Sequence, residues 1–211
     1  MLSKINSHSR DANISFVDET HSYYLNNEWK FPLSCTGFCH RWFGHFDADE
    51  VIKKMMRSKK WENNKYNGMK PSQIKKEWED NRDKAATMGT LMHNTIEDFY
   101  NLETEEQRMN FKWDSMIEKE RQLFMKFYIE HKHLKPYRTE MIVWSKEEEL
   151  AGSIDMLFID EETGELSVFD WKRSKEIKYE NKYQKGFGPC SGFDDCNYYH
   201  YSLQLNFYKY L

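Results

Sequence analysis

Two apolar runs, Ile154-Asp155-Met156-Leu157-Phe158 and Val168-Phe169-Asp170-Trp171, each carry one carboxylate inside what otherwise reads as a buried strand. An ionised carboxylate in a core is costly unless it pairs with a cation or ligates a metal. Any fold that buries these strands must therefore bring positive charge to them. Period-two alternation puts Lys172 on the same face as Asp170, and adjacent antiparallel strands can carry Asp155 to the same edge. Two carboxylates and a lysine at strand ends suit metal-assisted phosphodiester hydrolysis, with oxygen ligands of the kind that Mg²⁺ or Mn²⁺ prefers. Taken alone, a D-x-K is more often a structural salt bridge.

The surrounding texture places these strands late in the chain. Ile14–Val17 and Ser22–Leu25 are β-prone, with an Asn26-Asn27 turn before Glu28–Phe31, which predicts an N-terminal hairpin within residues 12–33. A helical region follows over 47–135. Asp47 or Asp49 can cap a helix with Val51, Ile52, Met55 and Met56; Pro71-Ser72 can open a second; a longer one is expected from Asp80 or Asp83 to about Tyr100. Another is expected over Trp113–His131, with Met116, Leu123 and Phe127 on one apolar line and Ile117, Phe124 and Tyr128 beside it.

After Pro136 the pattern turns to strands, Met141–Trp144, Ser153–Ile159 and Leu166–Trp171, separated by hairpin-type turns. A loop over Ser174–Asn197 and a helix from about Tyr198 complete the chain. The order predicts a mixed α/β (α+β) sheet flanked by helices. A single domain over 1–211 is expected, with core strands and last helix in 137–211.

Further candidates lie at helical spacing. Gly89, His93 and Glu97 share one stripe, where Gly89 would permit close approach to a neighbour and His93 could reach the carboxylates; a lone histidine here is more often an interface residue. Gln204 and Tyr208 share a face of the last helix, a spacing that ordinary packing also produces.

In chain order, Gly89-x3-His93, Gly152-x-x-Asp155, Asp170-x-Lys172 and Gln204-x3-Tyr208 resemble the motifs of the PD-(D/E)xK nuclease superfamily, in particular its RecB-like exonuclease branch; Ser34–Asp49 resembles viral and phage members. The resemblance covers about residues 89–208. It implies a restriction-endonuclease-like core with a central mixed sheet. It also implies that His93, Asp155 and Asp170 bind metal with the Trp171 carbonyl, that Lys172 positions or activates water, and that Gln204 and Tyr208 support the site or the substrate strand. Glu140 resembles an acidic residue of some members. The usual further strand after the D-x-K helix has no room before Leu211, so either the fold closes differently or the chain is a fragment of a longer polypeptide. Some relatives hold an iron–sulfur cluster through one cysteine before the histidine motif and three after it. Here Cys35 and Cys39 precede it and Cys190 and Cys196 follow, which fits neither that cluster nor a C-x2-C zinc pair, so free thiols are expected.

Charge and composition bound the partners. No run approaches the roughly 18 apolar residues of a membrane span, the polar N-terminus lacks a secretory signal, and an intracellular location is expected. The net charge of −4 gives no global attraction for nucleic acid, but Ile52–Lys84 holds 11 basic against 5 acidic residues and Lys172–Lys185 holds 6 against 2. These segments, including Lys175 and Lys178, could guide DNA to the metals, with Trp61, Tyr66, Tyr179 and Tyr183 stacking on bases. Equally, they could be solvated faces. The reading is a metal-dependent deoxyribonuclease, exonuclease before structure-selective endonuclease, within a replication, repair or recombination assembly. The competing class is a catalytically silent nucleic-acid-binding module.

Overall fold

A computed structural model describes every residue from Met1 to Leu211, and it divides into two compact units, residues 1–44 with 92–211, and residues 45–91. The larger unit begins with a short helix α1 (Leu2–Ile5) and a three-stranded antiparallel sheet of β1 (Ile14–Val17), β2 (Ser22–Leu25) and β3 (Trp29–Lys30). Asn26 and Asn27 both take positive φ (52° and 58°), the backbone sense a tight hairpin needs and asparagine tolerates. After β4 (Leu33–Ser34) comes α2 (Cys35–His40), capped by the Ser34 side chain, which accepts from the Gly37 N–H at 3.1 Å.

The second sheet is built on β6 (Leu150–Asp160). Along one side runs β5 (Leu134–Ser145), antiparallel to it. The other side is shared: β4 pairs in parallel at Leu150 and Ala151, and β7 (Leu166–Phe169) pairs antiparallel from Met156 to Ile159. The sheet is therefore mixed. Alternation along β6 sends Met156 and Phe158 into an aromatic core with Met92, Ile96, Phe99, Tyr100 and Phe124, and Leu157 into a second core with Cys35, Val143 and Tyr208. The helices behind these cores are α6 (Glu118–Glu130), reached through a small helix α5 (Glu105–Met109) with a Thr104–Gln107 capping box, and α7 (Asn197–Tyr210).

The smaller unit holds α3 (Ala48–Met56) and most of α4 (Pro71–Tyr100), whose last turns belong to the larger unit. Asp47 caps α3 by accepting from the Glu50 N–H at 3.0 Å. Its core is Ile52, Tyr66 and Ile74, with Trp78 donating from Nε1 to the Tyr66 hydroxyl at 2.7 Å.

Several expectations are corrected. The two helices foreseen between Pro71 and Tyr100 are one 30-residue helix; with neither glycine nor proline between Pro71 and Gly89, Asp80 and Asp83 lie inside it and cap nothing. Of the two apolar lines expected there, Ile117, just before α6, and Phe124 are buried and Phe127 and Tyr128 are half-buried against the same core, while Met116 and Leu123 are exposed. Tyr66 is buried and cannot stack on a base. A Cβ at Gly89 meets nothing within 4 Å, so that glycine makes no close approach. Finally, β7 stops at Phe169, so Asp170 and Lys172 follow the strand instead of sharing its face.

Candidate active site

All the carboxylates in question are carried by the larger unit. β6 supplies Asp155 from its middle, β5 supplies Glu140, and the last turns of α4 supply His93 and Glu97. Asp170, Trp171 and Lys172 come from the extended segment that leaves β7. The last ladder partners of β6 and β7 are Met156 and Phe169. Beyond them the Asp155 side chain takes over: its Oδ2 accepts from the Trp171 backbone N–H at 2.7 Å. This bond spends a backbone donor on a side chain and holds the segment bearing Asp170 and Lys172 against Asp155.

The resulting cluster is compact. Ligand atoms of His93, Glu140 and Asp155 lie within 4.8 Å of one another, with His93 Nδ1 at 3.4 Å from Asp155 Oδ2. Asp155 is 10% exposed and His93 27%. Ser153 donates its hydroxyl hydrogen to Glu140 Oε2 at 2.8 Å. Glu140 sits at φ +45°, a left-handed conformation that is uncommon for a side chain of this size and costs about 1–3 kcal/mol. Asp170, 4% exposed, places one oxygen 2.5 Å from the Lys172 ammonium; its other oxygen, Oδ1, is buried with no partner. The Lys172 ammonium also lies 5.6 Å from the Tyr201 ring centroid.

The electrostatics agree with the geometry. Burial pushes the Glu140 carboxyl up to about 7 against the Ser153 hydrogen bond, which lowers it; Asp155, Glu97 and Asp170 push the same way as burial. Burial and Asp170 raise Asp155 to about 6, although His93, Lys172 and the Trp171 N–H oppose them. Burial and Asp98 raise Glu97 as well. The cluster thus carries more negative charge than Lys172 and His93 offset, and burial charges for the difference. The unpartnered Asp170 Oδ1 is the atom-level form of that deficit. A divalent cation fits this donor set of one imidazole and several carboxylates.

Other residues singled out from sequence lie outside the cluster. Gln204 (8% exposed) and Tyr208 (6%) are buried: Gln204 Nε2 donates to the Tyr208 hydroxyl at 2.6 Å and to Thr36 Oγ1 at 3.1 Å. Tyr208 in turn explains Gly152. A Cβ there would sit 2.6 Å from Tyr208 Cε1 and 3.0 Å from Cys35 Sγ, so the glycine admits the tyrosine. Lys175 and Lys178 line an open groove of about 830 Å³ together with Arg173 and Lys182; Lys178 pairs with Glu176 at 3.4 Å and Lys182 with Glu180 at 3.6 Å. Asn197 pins this loop, accepting from the Lys178 N–H at 2.7 Å and donating to the Glu176 carbonyl at 2.9 Å. The four cysteines are buried free thiols, and burial raises Cys35 to about 12 and Cys39 to about 11, which keeps them protonated.

Sequence reasoning placed Glu97 on the His93 stripe but gave it no role, and it missed Ser153 and Tyr201 altogether. The stripe was the available signal for Glu97. Nothing in the sequence marks Ser153 or Tyr201, since their positions depend on register and helix phase.

A family model of the PD-(D/E)XK nuclease superfamily matches residues 65–211. No curated protein and no solved structure matches the chain.

Proposed function

The chain belongs to the PD-(D/E)XK nuclease superfamily, and from that premise we propose that it is a Mg²⁺- or Mn²⁺-dependent deoxyribonuclease acting as a RecB-like exonuclease. The observation that carries the proposal is the uncompensated carboxylate cluster of His93, Glu140 and Asp155, with Asp170, whose Oδ1 is buried and unpartnered, near enough for its charge to act on both Glu140 and Asp155. His93, Asp155 and Asp170 would hold the cation with the Trp171 carbonyl, and Glu140 would join them. A cation bound there would neutralise charge developing on the phosphate and acidify a bound water.

The protein's own groups do the rest. Lys172, held by Asp170, donates a hydrogen bond to the attacking water or to a phosphate oxygen as one P–O bond forms and the other breaks. Gln204 and Tyr208 act from beneath by fixing α7 against α2 through Thr36. Lys175 and Lys178 grip the phosphate backbone along their groove.

The test is digestion of end-labelled linear and of circular DNA, single- and double-stranded, with Mg²⁺ or Mn²⁺. Release of end label with circles intact is expected, and cut circles would make it an endonuclease. Asp170→Asn and Lys172→Ala should each abolish cleavage while remaining folded. Wild-type rates in either variant, or no cleavage by the wild type, would sink the proposal.

A further inference from the structure

A second concavity opens directly on the D-x-K pair. It is a groove of about 370 Å³ between the segment after β7 and helix α6, and Asp170 and Lys172 themselves form part of its lining. Its remaining walls are largely apolar. Phe127 and Trp171 meet edge to face, with ring centroids 5.3 Å apart, and Met92 closes the side nearest α4. Leu123 stands at the mouth with 72% of its surface exposed, although it belongs to the lining and sits one residue from the buried Phe124. At the rim Arg173 Nε donates to Glu120 Oε1 at 2.7 Å, tying the two walls together.

We infer that this groove is a subsite for one unpaired nucleobase, that of the nucleotide carrying the scissile phosphate. The inference rests on the nuclease reading above and names the form of substrate that site accepts. A strand whose phosphate lies at Asp170 and Lys172 has one flat, apolar-faced part within a sugar's length, its base. The groove that starts at those two residues has aromatic and aliphatic walls suited to such a face. Arg173 and Ser174 line both this groove and the lysine-lined one, so backbone and base have adjoining, chemically distinct beds. A base stacked and paired in a duplex cannot enter. The substrate is therefore a single strand, an overhang or a frayed end, and intact duplex must open at its terminus first.

The probe is a single-stranded oligonucleotide with 2-aminopurine walked along it, bound with Mg²⁺ present to protein carrying Lys172→Ala so that no turnover occurs. Emission is expected to change at one position only. Leu123→Asp should remove that change and Leu123→Phe keep it, with melting temperatures near wild type because Leu123 is exposed. A uniform change along the strand, or an unaltered one in Leu123→Asp, overturns the inference.

Cleavage supplies the second arm. With Mg²⁺ or Mn²⁺, removing the base from that one nucleotide should lower kcat/KM roughly tenfold, the usual worth of one stacked base. Leu123→Asp should lose about as much on the intact strand and nothing further on the abasic one. Equal wild-type rates on intact and abasic strands would also overturn it. Failure of the wild type to cut any strand would instead refute the nuclease reading.

Discussion

Replacing Glu140 by glutamine should stabilise the metal-free protein, and the size of the gain should depend on pH in a way that identifies its cause. The carboxyl of Glu140 is held at about 7, against an ordinary value of 4.5, chiefly by burial. In the unfolded chain it ionises at the ordinary value, so below that pH both states are protonated and the fold is not penalised. Between about 4.5 and about 7 the unfolded state releases its proton while the folded state keeps it, and stability falls. Above about 7 the penalty is complete. At 1.36 kcal/mol per pH unit it amounts to about 3 kcal/mol, or roughly 6–12 °C in Tm for a chain of this size. Glutamine has no charge to bury and can still accept the Ser153 hydroxyl. The assay is thermal melting of both proteins in EDTA from pH 4 to 8. Their Tm difference should be near zero at pH 4, grow through pH 5–7 and level off above. With Mn²⁺ the gap should narrow, because cation binding stabilises the wild type by about 2.7 kcal/mol at a hundredfold excess over Kd and the variant by less. A difference independent of pH, or a variant less stable than wild type at pH 8 without metal, would refute the account of the cluster.

His93→Ala should lower the affinity for Mn²⁺, read as the metal-induced rise in Tm, by about tenfold or more while changing DNA affinity little; unchanged metal titration would return His93 to a packing role. Gly152→Ala should cost about 1–3 kcal/mol in urea unfolding, because the new methyl would sit 2.6 Å from Tyr208 Cε1. Adding Tyr208→Leu should make the alanine cheaper, and additive costs would refute the clash. Replacing Lys175, Lys178 and Lys182 by glutamine should flatten the dependence of DNA affinity on salt by roughly 0.7 per lost contact with a single strand, with Tm unaltered. An unchanged slope would make these lysines bystanders.

The hairpin, the long β-region after Pro136 and the last helix were legible because each announces itself through a local period or turn: Asn26-Asn27, the apolar runs around Asp155, and the Gln204–Tyr208 spacing. The Pro71–Tyr100 helix was split in prediction because Asp80 and Asp83 look like caps. What decides against a break is the absence of any residue that disrupts helical bonding, a negative signal a cap search does not weigh. The glycines show a similar asymmetry. Gly89 and Gly152 stand alike in their motifs, yet a Cβ meets open space at one and Tyr208 with Cys35 at the other. Only contacts between residues 56 and 117 apart in the chain distinguish them.

The features hardest to read from sequence coincide at the candidate site, and this is physically reasonable. Glu140 adopts a backbone conformation its side chain disfavours, β7 gives up pairing one residue before Asp170, and Asp170 Oδ1 is buried without a partner. Each departs from a local rule that most of the chain obeys, and each is costly in the isolated fold. Chains generally tolerate such departures where they serve a function. Here the ladder is interrupted because Asp155 takes the Trp171 N–H. Asp170 and Lys172 are thereby released from the sheet, while His93, Glu140 and Asp155 stay together. Left in register, the Asp170 carboxylate would have stood directly opposite that of Asp155 on the same face, like charge against like. One displaced by a neighbouring carboxylate, with an oxygen unspent, is placed to accept a cation. The misjudged strand end and the unmatched charge are therefore one feature, and the cation the site requires would offset the cost of both.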